Sequence, residues 1–464
     1  MQENLVQTTP NSEWWVDSVF YHIYPLGFCD APQANNFTDP PVHRIEKVYE
    51  WLDHLQELGI TAIYFGPLFE SSYHGYDTAD FLQVDRRLGD FESLAALFRE
   101  MHKRHIRVVL DGVFNHVGRD FWAFRDLQKN QQNSPYKDWF VNVDFSGTSP
   151  YGDPFSYDGW EGHYNLVKLN LHNEAVCEHL FTAIKTWVEK LDIDGLRLDV
   201  AYCLDKHFLK KIRSFATTLK TDFWLMGEMI HGDYNQWVNQ AMLHSGTNYE
   251  CFKGLYSSHN DINYFEIAYS LNRLFGSEGI YKELSLFNFV DNHDVNRVAS
   301  LLKKTEHLYP LYCLLFTIPG IPSIYYGSEW GIYGEKTDNS DAPLRPSLDL
   351  AFIREHARNK DLSQTLCSLA AIRKSSQALK RGDYLQLTLT HEQFSFRRNF
   401  FGDEMVVLVN SAAHTAGFNI VLPDHSNRKY VDLLNGGEVF QADNGHLHVP
   451  EVHPYWCRIL HARN

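Results

Sequence analysis

An α/β fold, a (β/α)8 TIM barrel with an inserted subdomain after strand 3 and a C-terminal antiparallel β-sandwich, is predicted by three features of the sequence. Short β-rich runs alternate with amphipathic helical stretches over roughly 350 residues, the rhythm of a parallel sheet with crossover helices. A polar and aromatic segment from Gly118 to Lys168 interrupts that rhythm. After about Lys380 the pattern becomes one of short alternating strands parted by turns such as Asn435-Gly436-Gly437. The division expected is 1–117 and 169–378 for the barrel, 118–168 for the inserted B subdomain and 379–464 for the sandwich.

Taken in order, Tyr21-His22-Ile23-Tyr24-Pro25 opens the barrel. Ile45, Val48, Trp51, Leu52, Leu55 and Leu58 then keep helical spacing and lead into a strand at Thr61–Phe65. Leu94, Leu97, Phe98 and Met101 do the same before Arg107–Leu110. Val176, Leu180, Ile184, Trp187, Val188 and Leu191 form the stripe that runs into Ile193–Leu198, and a helix around Phe208–Leu219 precedes Phe223–Gly227. These stripes are core faces, because each helix must bury one side on the sheet. No G-x-G-x-x-G follows any strand, so a dinucleotide fold has no support. Leu308 to Tyr326 carries no charge and is long enough to be mistaken for a membrane span. Pro310, Pro319, Gly320 and Pro322 divide it instead into a helix, a turn and a strand. The closing strands are Tyr384–Leu389, Gln393–Arg398, Met405–Asn410, Gly417–Leu422 and Tyr455–Leu460.

With 42 Lys+Arg against 58 Asp+Glu the net charge is −16, which argues against nucleic acid and against anionic membrane as partners. Seven scattered cysteines without a C-x-x-C fit neither a disulfide framework nor a zinc site. Met1 to Pro10 lacks a basic and an apolar region, so no signal peptide is read and a cytoplasmic location is expected. Monomer and homodimer are both compatible with this surface.

Four strand ends carry polar clusters where a structural strand would be apolar. They are Asp111-Gly112-Val113-Phe114-Asn115-His116, Arg197-Leu198-Asp199-Val200-Ala201, Met226-Gly227-Glu228 and Asp291-Asn292-His293-Asp294. Each alone is matched by an ordinary structural role, such as a helix cap or a local ion pair. In one barrel, however, all four C-terminal strand ends converge on one pocket. It would gather Asp199, Glu228 and Asp294 with His116, His293 and Arg197. Carboxyl pairs suit glycosidic cleavage, one attacking and one protonating the leaving oxygen. The same set is also able to hold a metal for assisted hydrolysis. Aromatic residues at 14 % favour the sugar reading, since sugar rings lay their C–H faces on aromatic planes. Arg197, on the same strand face as Asp199, is expected to keep that carboxylate ionised, while neighbouring carboxylates raise Glu228.

In order and spacing these segments resemble the four signature regions of the α-amylase family of glycoside hydrolases, and the resemblance spans nearly the whole chain. It implies a retaining α-glucan-active enzyme, with an oligosaccharide substrate and no cofactor needed for the chemistry. By position Asp199 would be the nucleophile, Glu228 the acid/base and Asp294 the carboxylate that grips sugar hydroxyls. Arg197, His116 and His293 would line the subsite of the attacked glucose. His74-Gly75-Tyr76-Asp77 resembles the segment whose tyrosine stacks on that glucose, here Tyr76. Asp341-Ala342-Pro343-Leu344-Arg345 resembles the loop that meets the next sugar out, through Asp341 and Arg345. Asn115 stands where many relatives bind structural calcium, and is the one metal candidate. The surroundings of Asp199 look closest to the cyclodextrinase, maltogenic amylase and neopullulanase branch. That branch usually has Asn-Glu where this chain has Tyr202-Cys203, and an N-terminal domain for which the roughly twenty residues before the first strand leave no room. The resemblance therefore leads to hydrolysis of α-1,4 bonds in short maltooligosaccharides or cyclodextrins. The alternatives are a glucosyl or maltosyl transferase or a trehalose/sucrose-type isomerising enzyme, and an inactive binding subunit.

Overall fold

The computed structural model describes residues 13–338, 340–423 and 427–463, so the reading of Met1–Pro10 lies outside the described residues. Eight parallel strands form the central sheet: β1 Phe20–Ile23, β2 Ala62–Phe65, β3 Arg107–Gly112, β4 Gly195–Leu198, β5 Trp224–Gly227, β6 Ser245–Gly246, β7 Phe287–Asn288 and β8 Ile321–Tyr325. Their order is β6-β5-β4-β3-β2-β1-β8-β7. A bridge from Thr247 to Phe287 joins the two edges and closes the ring.

Strand alternation divides the residues of this ring between two environments. Tyr21 and Ile23 of β1, Leu196 and Leu198 of β4 and Leu225 of β5 face the surrounding helices and join the main core. Their alternates point inward. Phe20, Ala62, Val109, Trp224, Phe287 and Ile321, with Trp14 and Trp15 beneath them, fill the lower interior as a separate apolar cluster. One step further along the same strands the inward residues are His22, Asp111, Arg197 and Asp199, all buried. The barrel thus has an aromatic floor and an ionic upper layer, and the second layer is where chemistry is placed.

The predicted helices form with local signals to match. Phe91–Lys103 starts at Asp90 in a reciprocal capping box with Ser93. Glu174–Leu191 is capped by Asn173 and Lys206–Leu219 by Asp205. The stripe from Ile45 to Leu58 begins as a 3-10 helix at Arg44–Trp51 and becomes α-helical only over Leu52–Glu57. The uncharged stretch after Leu308 is a helix over Leu308–Thr317 followed by β8, with Gly320 at φ +114° in the turn between them. Among the described residues no helix is long and apolar enough to cross a membrane.

Between β3 and β4 the chain leaves the barrel. His116–Gly118, His163–Lys168 and Gly159–Trp160 pair as a small antiparallel sheet, with a helix at Trp122–Asn130. The C-terminal unit is an antiparallel sheet of β9 Leu385–Leu389, β10 Gln393–Phe400, β11 Asp403–Asn410, β12 Ala416–Val421, β13 Lys429–Asp432, β14 Val439–Asp443, β15 His446–Val452 and β16 Trp456–Arg463. It runs in the order β9-β10-β11-β16-β13-β14-β15-β12 and folds over so that both ends share one apolar core. The other face of its central strands, through Phe394, Phe396, Val407, Val409 and Ile459, packs into the main core against the barrel helices. β13, β14 and β15 were not among the expected strands.

Candidate active site

The upper layer of the barrel opens into a cleft of about 1250 Å³, lined by Tyr76, His116, Asp199, Glu228, Asp294, Asp341 and Arg345 among others. At its base Arg197 is buried and its guanidinium is shared by three carboxylates. Nη1 lies 2.9 Å from Asp111 Oδ1 and 2.8 Å from Asp199 Oδ1, and Nη2 lies 3.0 Å from Glu228 Oε1. Asp199 follows β4 by one residue and Glu228 follows β5 by one residue, so adjacent strands deliver the two groups to one cation.

The backbone takes part as well. Val200, directly after Asp199, sits at φ +40° and ψ +46°, a left-handed conformation that a β-branched residue adopts only when its surroundings impose it. In that conformation its N–H donates to Glu228 Oε2 at 2.9 Å. Asp199 and Glu228 are therefore joined both through Arg197 and through one strained peptide.

Three carboxylates around one guanidinium carry an excess of negative charge. Burial pushes the Asp199 carboxyl well up; Arg197 opposes this, while Glu228 and Asp111 add to it. Burial also raises Glu228, against Arg197 and with Asp294. The pair accordingly holds one proton more tightly than an ordinary carboxyl would. Arg197 makes the expected charge-assisted contact and favours the ionised Asp199, but its charge is divided three ways and burial outweighs it. Glu228 is raised as expected, with burial rather than its carboxylate neighbours as the main cause.

Asp294 behaves in the opposite way. Burial would raise it, but His293, Arg345 and Arg197 outweigh that and hold it far below the usual carboxylate range. Its Oδ2 lies 3.0 Å from His293 Nε2 and its Oδ1 accepts from Arg345 Nη2 at 2.9 Å. Asp294 stays ionised, and its side chain remains 38 % exposed to the cleft.

Aromatic rings hold these groups in place. Tyr76 and Tyr24 both stack on the His293 ring, at 5.4 Å and 5.8 Å between centroids. The Tyr76 hydroxyl donates to Asp111 Oδ2 at 3.0 Å and lies 2.5 Å from His293 Nε2. The turn that presents Tyr76 is fixed by Asp77, whose carboxylate accepts from the N–H groups of Tyr73, His74 and Gly75. His116 lies 3.8 Å from Asp199 Oδ2, and burial lowers its pKa to about 3, so it is neutral there.

All nine sequence-predicted site residues thus meet around one cleft. Arg345 bridges Asp294 (2.9 Å) and Asp341 (3.2 Å). Among the cleft residues that carried no role from the sequence are the aromatics Tyr24, Trp160, Tyr202 and Tyr249. Tyr24 lay inside a quoted motif, but its partners are remote in the chain. Tyr249 sits after the two-residue β6, which leaves no periodicity to read. Asp111, read as a possible cap, instead accepts from Tyr64, Tyr76 and Arg197 at the centre of the layer.

Asn115 is buried, and its Nδ2 lies 3.2 Å from His116 Nδ1. Among the described residues no three His, Cys, Asp or Glu side chains gather as a metal-binding group. Calcium also takes backbone and amide carbonyl oxygens, so Asn115 stays the calcium candidate that the resemblance implies.

A profile for the catalytic domain of alpha amylase matches residues 22–381. A cyclomaltodextrinase from Geobacillus thermopakistaniensis is 31 % identical over 454 residues, covering 93 % of this chain and 74 % of that protein. Neopullulanase 2 from Thermoactinomyces vulgaris is 30 % identical over 484 residues, covering 98 % and 79 %. A solved cyclomaltodextrinase structure superposes with a TM-score of 0.84 at 26 % identity, covering 97 % of this chain and 78 % of that one.

Proposed function

The chain belongs to the α-amylase family of glycoside hydrolases, and from that premise we propose that it hydrolyses α-1,4-glucosidic bonds of short maltooligosaccharides or cyclodextrins with retention. The observation that carries this reading is the single guanidinium of Arg197 between Asp199 and Glu228, at 2.8 Å and 3.0 Å. Two buried carboxyls sharing one cation and one extra proton are what a double displacement needs.

In the first half-reaction the Asp199 carboxylate attacks the anomeric carbon. Glu228 gives its proton to the glycosidic oxygen, and that sugar leaves. In the second, Glu228 takes a proton from water, the oxygen of which attacks the same carbon and frees Asp199. Asp294, ionised throughout, holds the hydroxyls of the attacked ring and adds its negative field to Glu228, which favours the proton there. His116, neutral, and Tyr76 form the walls of that subsite, and Asp341 and Arg345 meet the next sugar out. The relatives' own activities, on cyclodextrin and pullulan, support this substrate class, and a cytoplasmic site of action follows the intracellular maltogenic amylase among them.

One observation favours a second reading. Tyr202, Ile230 and Tyr249 form an aromatic and aliphatic wall beside Glu228, a surface on which a sugar acceptor competes with water for the glycosyl enzyme. NMR of maltotriose and β-cyclodextrin digests decides between them. The α-anomer released first, with only shorter products, is the expected result. Products longer than the substrate turn the assignment to a transferase, and initial β-anomer overturns retention.

A further inference from the structure

Arg297 lies outside the cleft and is fully buried. No carboxylate of the described residues pairs with it directly; it reaches the buried Asp291 carboxylate through Ser328 Oγ, and its other donors are spent on peptides behind the cleft wall. Nε and Nη2 donate to the carbonyl of Leu344 at 3.1 and 2.8 Å. Nη1 donates to the Tyr326 carbonyl at 2.6 Å and to Ser328 Oγ at 3.1 Å. The Tyr325 hydroxyl adds a third hydrogen bond to the Leu344 carbonyl at 3.1 Å, and its ring lies 3.9 Å under the guanidinium. A buried cation with no direct ion pair is costly unless its donors are satisfied. Here two of its four hydrogen bonds go to one carbonyl.

The next residue is Arg345, and its backbone is blocked from the other side. A Cβ at Gly27 would stand 2.1 Å from the Arg345 carbonyl oxygen, so only glycine allows the two segments to approach. From this clamped peptide the Arg345 side chain reaches Asp294 Oδ1 and the His293 carbonyl, both at 2.9 Å. A small rotation of the Leu344–Arg345 peptide is magnified at a guanidinium several bonds away.

We propose that Arg297 is a positioning residue: it pins the Leu344 carbonyl and through that peptide aims Arg345 at the Asp294 carboxylate. The inference rests on the reading that Asp294 acts on substrate in this cleft. It assigns to Arg297 an effect on turnover that passes entirely through Arg345.

A double-mutant cycle on kcat and KM with maltotriose tests this, since coupled residues lose additivity. Arg345→Ala is expected to lower kcat/KM about 100-fold, as a misplaced group of this kind does. Arg297→Lys, which keeps the charge but loses the fork, is expected to lose about 10-fold, mainly in kcat. Tyr325→Phe removes the third hydrogen bond to the Leu344 carbonyl and is expected to lose about 3-fold, which keeps the test available if Arg297→Lys folds poorly. In the Arg345→Ala background both second substitutions should cost less than about 2-fold. Losses that multiply across the two backgrounds overturn the proposal, as does wild-type kcat in a folded Arg297→Lys protein. Wild-type cleavage of maltotriose carries the activity reading, and the coupling carries this one, so the two fail separately.

Discussion

Arg197 in the upper layer of the barrel and the pair Arg373 and Arg398 at the seam with the C-terminal sheet are all buried arginines, in opposite surroundings. Arg197 has too many carboxylates around it: burial works against its charge, but Asp111 and Glu228 more than restore it. Arg373 has no such partner. It donates to the carbonyls of Leu379 and Gly320 at 2.9 and 2.7 Å, and to those of Phe316 and Val16 at longer range. Arg398 donates to Asp383, Gly382 and Thr317 in the same way. Burial brings both down to about 9, still charged at neutral pH. The seam arginines gather carbonyls from separate segments and leave nothing titratable behind. The cleft arginine leaves a surplus proton and two carboxyls in unsettled competition for it. Carbonyl-only burial is a structural joint, whereas an overloaded guanidinium is a reactive one.

The largest effect expected from that contrast is on rate. Asp199→Asn should lower kcat by about 10³- to 10⁵-fold, with a Tm no lower than wild type. A variant that instead melts early would show that the cleft cluster is a joint like the seam. Next comes stability: Arg373→Met should cost about 3–5 kcal/mol in urea unfolding by stranding several buried carbonyls. The kcat/KM of its folded fraction should stay within about 2-fold, as for any site far from the chemistry. Loss of rate without loss of stability would remove the distinction.

The smallest effect is also the sharpest, because it depends on sign. The Asp199–Glu228 pair is raised in the folded protein. The stability linked to its proton is fully present below the ordinary carboxyl range and is lost as pH rises through the folded value. Glu228→Gln should therefore be more stable than wild type by about 1–2 kcal/mol at pH 8, with the gain fading below pH ~4. Asp294 is lowered, so its contribution is present above the ordinary range and disappears only as pH falls through its own low value. Asp294→Asn should consequently lose stability at neutral pH. Thermal melts of both variants from pH 4 to 8 check this: the Glu228→Gln difference from wild type should grow with pH while the Asp294→Asn difference stays flat, and equal slopes would contradict the charge assignment.

Much of this cleft was legible in the sequence because barrel strands deliver their polar residues by local rules. Asp199 and Glu228 each stand one residue past a strand end, Asp294 is marked by its Asp-Asn-His-Asp motif in the loop after β7, and period-2 alternation places Arg197 beside Asp199 on the inner face. What was not legible depends on partners remote in sequence. Asp111 cannot be distinguished from a cap until Tyr64, Tyr76 and Arg197 arrive from three other segments. Two-residue strands such as β6 and β7 have no period at all, which hid Tyr249. β13 to β15 were missed because their pattern is short and is interrupted by exposed polar positions, so their pairing is fixed by the sheet rather than by the run itself. The division of Arg197 among three acids follows from burial, which composition does not reveal.

The bridge between Thr247 and Phe287 that closes the ring has a consequence for the order in which the molecule comes into being. As the chain is made, Arg197 appears after Asp111 but before Asp199 and Glu228, so the cation is present before the second and third acids that crowd it. Asp294 and Arg345 come much later, on the far side of the closure. Until β7 and β8 are laid against β6 and β1, one half of the cleft has its reacting carboxyls and the other half has yet to exist. Closure of the ring is therefore also what completes the cleft: no fragment ending before the eighth strand holds a complete site, however well its own strands have paired.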